Sequence, residues 1–170
     1  CNPTHLNFFE RTPNLRSILN KQDIIYVGGG NTKSMLAVWR EWKLDILLKK
    51  LYEKGKIFCG VSAGSICWYN KGITDSWASN LSVLDCLGFI DEVNCPHYYG
   101  EKDRQPSVHS FINDQKINSC YASEDGSALH YKGGKLIGSI AFYKGAKSYY
   151  IHKETNKIVE DVVPGIDLNT

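Results

Sequence analysis

A chain of 170 residues, 42% hydrophobic and 22% charged, has room for one domain with a buried core and too little for two. Twenty Lys and Arg against 18 Asp and Glu leave a formal charge of +2, far from the dense basic stripe that grips a phosphate backbone, so nucleic acid is not an expected partner. No stretch approaches the roughly 20 apolar residues that cross a bilayer, and residues 1–11 are polar and interrupted by Pro3, unlike a secretion signal, so no membrane partner and a cytoplasmic location are expected.

The first 20 residues, with Pro3, Pro13 and the pair Phe8-Phe9, read as a loop that passes into a short helix at Leu15 to Leu19. Asp23-Ile24-Ile25-Tyr26-Val27 is a β-prone run that stops at Gly28-Gly29-Gly30. Beyond it, Met35, Leu36, Val38, Trp39 and Trp42 recur at helical spacing. A second helical pattern, Leu44, Ile46, Leu47 and Leu51, ends near Gly55, with Lys49, Lys50 and Lys54 at its negative dipole end. It leads into the short run Lys56-Ile57-Phe58-Cys59-Gly60-Val61. Strands alternating with helices in this rhythm predict a mostly parallel sheet covered on both faces. After His97 the pattern changes to short runs, Ser127 to Tyr131, Lys135 to Gly138 and Ser148 to His152, broken by Gly133-Gly134 and by Gly145; these predict antiparallel hairpins.

Six cysteines lack any C-x-x-C spacing, and several sit in apolar runs, which points to buried free thiols in a reducing compartment rather than disulfides or zinc. No histidine pair or cysteine cluster has ligand spacing, so neither a metal nor another cofactor is expected. The chain opens on Cys1 rather than Met and reads as part of a longer product.

The segment richest in chemistry is Gly60-Val61-Ser62-Ala63-Gly64, a G-x-S-x-G between a β-prone run and the helix-like Ser65-Ile66-Cys67-Trp68-Tyr69. A sharp strand-to-helix turn exposes the serine oxygen, and the flanking glycines relieve crowding there, so Ser62 is the candidate nucleophile. The Ala63 amide, at the start of the helix, is a candidate oxyanion donor. A serine hydroxyl needs a base, usually a histidine oriented by a carboxylate. Of five histidines, His97 is favoured because it follows the strand-like Glu92-Val93-Asn94-Cys95-Pro96 and falls at the strand end, where an open α/β sheet holds its active site. His5 lies in the leader, His109 on a surface helix, His130 and His152 in hairpin strands. Asp125, after Cys120-Tyr121-Ala122-Ser123, belongs on the same rim and is the favoured acid; its neighbour Glu124 takes that place only if the turn rotates by one residue, and Asp75 sits in a polar turn able to line the pocket. Gly28-Gly29-Gly30-Asn31-Thr32 lacks the G-x-G-x-x-G register and the Walker lysine, and fits an oxyanion element better than a phosphate cradle.

Taken together, Ile25-Tyr26-Val27-Gly28-Gly29-Gly30-Asn31-Thr32, Gly60-Val61-Ser62-Ala63-Gly64-Ser65, Cys95-Pro96-His97-Tyr98 and Glu124-Asp125-Gly126 resemble the peptidase E group of serine peptidases, the aspartyl dipeptidases. The resemblance runs from about Asp23 to Tyr150. It implies a three-layer α/β/α sandwich with a mostly parallel sheet, like the class I glutamine amidotransferases (flavodoxin-like), carrying C-terminal antiparallel hairpins. It further implies Ser62 as nucleophile, His97 as base and Asp125 at the acidic position, often Glu in the family. The amides of Gly29 or Gly30 and of Ala63 would form the oxyanion hole, with Asn31, Asp75 and Arg104 recognising a substrate whose N-terminal residue is aspartate. Arg104 suits a carboxylate because its fork binds both oxygens.

The resemblance also implies a homodimer. Family members carry a further strand-and-helix segment ahead of the region where this chain begins, so residues 1–170 are expected to be a single hydrolytic domain lacking an N-terminal part. The stretch from Gly72 to Leu84 is shorter than, and different from, that of the aspartyl dipeptidases. The expected activity is hydrolysis of short peptides through an acyl-enzyme. Two rivals stand beside it: a cyanophycinase-like serine hydrolase acting on another amide, and a binding domain that keeps the fold without turnover.

Overall fold

The computed structural model describes residues 1–169. After an irregular leader, helix α1 (Leu15–Asn20) opens on Asn14, whose side chain accepts from the Ser17 amide. Strand β1 (Ile24–Val27) follows, then α2 (Thr32–Glu41), capped by Asn31 through the Ser34 amide, and α3 (Leu44–Glu53), closed at Gly55 with φ 82°. Strand β2 (Ile57–Gly60) runs parallel to β1, with Val27 opposite Gly60. Thus the β1–α2–α3–β2 crossover sets the glycine turn after β1 beside the G-x-S-x-G turn after β2.

Helix α4 is a single turn, Ala63–Ile66, shorter than the run to Tyr69 that the sequence pattern predicts, because Trp68 leaves the helix to join an aromatic core. Its ring lies 4.9 Å from Phe58, 5.7 Å from Phe89 and 6.0 Å from Trp39. Strand β3 (Tyr69–Thr74) then begins at once, followed by β4 (Ser82–Asp85), β5 (Ile90–Cys95), α5 (Arg104–Asn113) and β6 (Ser119–Ser123). The tail is all β: β7 (Ser127–Lys132), β8 (Lys135–Ala141), β9 (Ser148–Glu154), β10 (Lys157–Val162) and β11 (Gly165–Asp167).

One expectation needs correcting here. The strands form three hydrogen-bonded sheets, β1-β2, β10-β9-β6-β5-β3-β4 and β11-β8-β7, rather than one mostly parallel sheet. Among the described residues four strand pairs are parallel and four antiparallel. Parallel neighbours require a long crossover, which the chain supplies as α2 with α3 for β1–β2, as α5 for β5–β6, through β4 for β3–β5 and through β9 and β10 for β8–β11, whereas the short links β3–β4, β7–β8 and β9–β10 close antiparallel pairs. In the β7–β8 hairpin, Gly133 and Gly134 both take positive φ (58° and 76°), as a two-residue turn matching the strand twist demands.

Two cores result. One gathers Leu36, Trp39, Leu48, Leu51 and Trp68 under α2 and α3; the other gathers Ile73, Tyr98, Val108, Phe111 and Ile151 between α5 and the six-stranded sheet. Among the described residues all six cysteines are free; Cys67, Cys95 and Cys120 are buried, but Cys1 and Cys59 are exposed. Burial pushes the Cys95 thiol up to about 12 and the Cys86 thiol likewise to about 12.

Candidate functional site

Ser62 occupies the turn between β2 and α4 with φ 54° and ψ −119°, a backbone state outside the broad α and β regions. Its carbonyl accepts from the amides of Ser65 (2.9 Å) and Ile66 (3.1 Å) and from the Ser65 hydroxyl (2.8 Å), which hold the turn closed. The two motif glycines make the turn possible. A Cβ on Gly60 would fall on the backbone of Gly64, and one on Gly64 would fall on the carbonyl of Val27, so β1, β2 and α4 meet backbone to backbone.

His97 leaves the end of β5 with φ 56°. It is fixed from both sides, because the next amide, Tyr98, donates to the Ser123 carbonyl at 3.0 Å and the His97 carbonyl accepts from Glu101 at 3.0 Å. Its Nε2 lies 3.0 Å from Ser62 Oγ, and its Nδ1 lies 2.5 Å from Asp125 Oδ1. A carboxylate only accepts, so the proton sits on Nδ1, the Nε2 lone pair faces Ser62, and the serine hydroxyl donates to it. The Asp125 side chain is 59% exposed and that of His97 24%. The Asp125 carboxylate therefore sits in water rather than in a low-dielectric pocket, where its attraction to the ring is screened.

The choice between Glu124 and Asp125 is made by the turn after β6. Glu124 faces the other way, accepting from the Lys147 amide at 2.9 Å and from the Tyr149 hydroxyl at 2.6 Å, while Asp125 faces His97. Sequence reasoning passed over Gly100: a Cβ there would lie 2.6 Å from Asp125 Oδ2. The bare backbone of Gly100 makes the seat of the carboxylate, and a glycine three residues after a histidine gives no pattern by which to find it.

Of the expected oxyanion donors, Gly29 lies against Ser62, the position of a Cβ on it being 3.4 Å from Ser62 Cβ and 3.9 Å from Oγ. Gly30 has φ 142°, open to glycine and strained for other residues. The amides of Gly29, Gly30 and Ala63 find no acceptor among the described residues. With only one turn behind it, Ala63 contributes a local N–H, not the field of a long helix.

The three residues expected to recognise substrate are not gathered here. Asn31 caps α2, and its Nδ2 donates to the Ser76 carbonyl. Asp75 lines a separate polar cavity of about 500 Å³ with Glu101, Lys102 and Asp103. Arg104 is 5% exposed; its Nε donates to Glu101 Oε2 at 2.9 Å and its Nη1 to the Ile73 carbonyl at 2.9 Å. Its fork is spent on the protein, tying the start of α5 to the end of β3. Ser62, His97 and Asp125 instead border a cavity of about 1120 Å³, whose walls include Tyr52, Phe58, Trp68, Phe89 and Tyr131 together with Lys56, His130 and Lys132.

The model of peptidase family S51 matches residues 1–138. The chain belongs to that family. Over 165 residues it is 42% identical to the uncharacterized peptidase YgaJ of Bacillus subtilis, covering 96% of this chain and 71% of the relative. It is 26% identical over 147 residues to peptidase E of Shewanella amazonensis, covering 77% and 61% of the two chains. A solved structure of a candidate peptidase E from Listeria monocytogenes superposes with a TM-score of 0.57 at 25% identity, over 72% of this chain and 62% of that one. This S51 chain thus spans less than two thirds of the Shewanella and Listeria relatives.

Proposed function

We propose that the chain is a serine peptidase acting on short peptides through Ser62, His97 and Asp125. The observation that carries this reading is the hydrogen-bonded line from Asp125 through His97 to Ser62 Oγ, with both links within bonding reach and all three residues on one cavity. In the proposed reaction Ser62 Oγ attacks the peptide carbonyl while His97 Nε2 takes the hydroxyl proton. The amides of Gly29 or Gly30 and of Ala63 would receive the developing oxyanion. As the C–N bond breaks, His97 returns the proton to the leaving amine; water, deprotonated by the same ring, then attacks the acyl carbonyl, the Ser62 Oγ–C bond breaks to release the acid, and His97 hands the proton back to Ser62 Oγ. Asp125 keeps the imidazole in the tautomer both steps need.

The cavity, at about 1120 Å³, is a little larger than the usual small-molecule site and has room for a short peptide. N-terminal aspartate is the first residue to test, since the peptidase E resemblance implies it. One observation favours a different amide: Arg104, the expected receptor for that carboxylate, is engaged by Glu101 and Ile73, and Lys56 by the carbonyls of Asn20 and Gln22, leaving His130 and Lys132, beside His97, as the other basic groups on the cavity wall. A panel of X-Leu dipeptides including Asp-Leu separates the two readings. Fluorophosphonate labelling tests the reaction itself: modification of Ser62 in the native chain and its loss in His97→Ala are expected, whereas an unlabelled native protein leaves only the binding domain.

The seat of Asp125 offers a further check. The carboxylate that a methyl on Gly100 would meet is the free end of an exposed side chain, so Gly100→Ala should fold and melt close to the parent. The carboxylate must nevertheless move away from His97, and a displacement of about 1 Å in a catalytic array costs on the order of 10²-fold in rate. Steady-state kinetics beside a thermal melt reads the two effects separately.

A further inference from the structure

The hydrogen bonds beyond Asp125 extend to a carboxylate that the reaction above does not use. From β10, Glu160 receives four donors, all from the segment that follows His97 or the helix it enters. Oε1 accepts from the Tyr98 hydroxyl (2.9 Å), Gln105 Nε2 (2.9 Å) and His109 Nε2 (2.6 Å); Oε2 accepts from the Tyr99 hydroxyl (2.6 Å). The Glu160 side chain is 17% exposed. Burial pushes its carboxyl up, but the bonds from Tyr99, Gln105, Tyr98 and His109 outweigh burial and hold it below the usual carboxylate range, so it stays an acceptor at neutral pH. Burial, followed by the bond to Glu160, pushes the Tyr99 hydroxyl up to about 12 and that of Tyr98 higher, which keeps both phenols as donors.

The cluster also reaches the segment that carries Asp125. Tyr98 is fully buried, and its amide bonds the Ser123 carbonyl, two residues before Asp125. The Tyr149 ring packs 5.8 Å from Tyr98 and 5.5 Å from Tyr99, and its hydroxyl donates to Glu124, the neighbour of Asp125. A histidine backbone at φ 56° is costly and persists only when its surroundings over-determine it. A carboxylate that satisfies four donors on the next twelve residues is such a surrounding.

We infer that Glu160 is a positioning residue for the reaction: it anchors Tyr98 and Tyr99 and so fixes the His97 ring between Ser62 and Asp125. This rests on the serine-peptidase reading above. The titratable groups facing Glu160 are Tyr98, Tyr99 and His109, with Glu124 one tyrosine away, so Glu160 acts on His97 through its neighbours and not by direct contact.

The test measures the rate at which a fluorophosphonate labels Ser62, and kcat and KM on whichever dipeptide the native chain cuts. Glu160→Ala is expected to lower labelling and kcat about tenfold with KM within twofold. Glu160→Gln, which keeps the volume and one acceptor oxygen, should recover part of the loss. Asp161→Asn, the adjacent residue of β10 whose carboxylate pairs with His152 at 2.8 Å, should match the native rates. Native labelling with Glu160→Ala at the same rate overturns this inference alone, whereas absence of labelling in the native chain overturns the serine-peptidase reading. If Glu160→Ala does not fold, Tyr99→Phe decides: it deletes one hydroxyl from a half-exposed ring, and a rate several-fold lower supports the anchor while an unchanged rate removes it.

Discussion

Ser62→Ala should reduce peptide hydrolysis by about 10⁴-fold or more while leaving the melting temperature near that of the parent. Removing a nucleophile from such an array leaves only binding and oxyanion stabilisation. His97→Ala should cost as much, and the double variant no more than either alone, because the serine and the imidazole act as one unit. Asp125→Ala is expected to cost less, about 10² to 10³-fold: its carboxylate is largely in water, so its loss removes the orientation of the ring more than a buried charge. Glu124→Ala separates the two adjacent acids, since it should leave the His97 link intact and disturb only the contacts to Lys147 and Tyr149. Single-turnover hydrolysis measures all five. Equal losses for Glu124→Ala and Asp125→Ala would contradict the division between them, and an active Ser62→Ala would end the nucleophile assignment.

How much of this was legible in the amino-acid order depends on whether the deciding interaction is local. The glycine turn after β1, the G-x-S-x-G elbow and the proline before His97 are all written within a few residues, because each is a steric requirement of a single turn. The same locality made β1, α2, α3 and β2 readable from periodicity. The choice between Glu124 and Asp125 was not readable: it depends on which of two neighbouring side chains the turn points at His97, and that is set by Lys147 and Tyr149, more than twenty residues later. Arg104 illustrates the opposite hazard. A lone arginine suits a substrate carboxylate, but the carbonyl that captures it belongs to Ile73, thirty-one residues earlier and invisible to any spacing rule.

The expected mostly parallel sheet failed for a related reason, although the antiparallel hairpins of the C-terminal part are present. Alternating strands and helices predict parallel neighbours, and the two helical crossovers do give them. Nothing in a local window says that β9 inserts beside β6, antiparallel, and with β10 extends the six-stranded sheet. That insertion carries Glu160 to the back of the histidine segment. Thus the strand order that periodicity missed is the same feature that delivers the distant support for His97.

The second large effect falls on the fold itself. Gly64→Ala should destabilise the chain by about 3 kcal/mol or more, a drop of roughly 6–12 °C in melting temperature for a protein of this size. The added methyl would meet the carbonyl oxygen and carbon of Val27 and the carbonyl of Gly28. These are backbone atoms, and Val27 is held in the ladder with β2, its carbonyl accepting from the Val61 amide at 3.1 Å. No rotamer change can make room, so α4 must lift from β1 and carry Ser62 with it. Gly28→Ala is the control: nothing lies within 4 Å of a Cβ there, and its change should stay within about 0.5 kcal/mol. A thermal melt or urea titration of the two variants side by side measures the difference. If Gly64→Ala melted with Gly28→Ala, then α4 would not rest on β1 at backbone distance, and the glycines of the elbow would need another explanation.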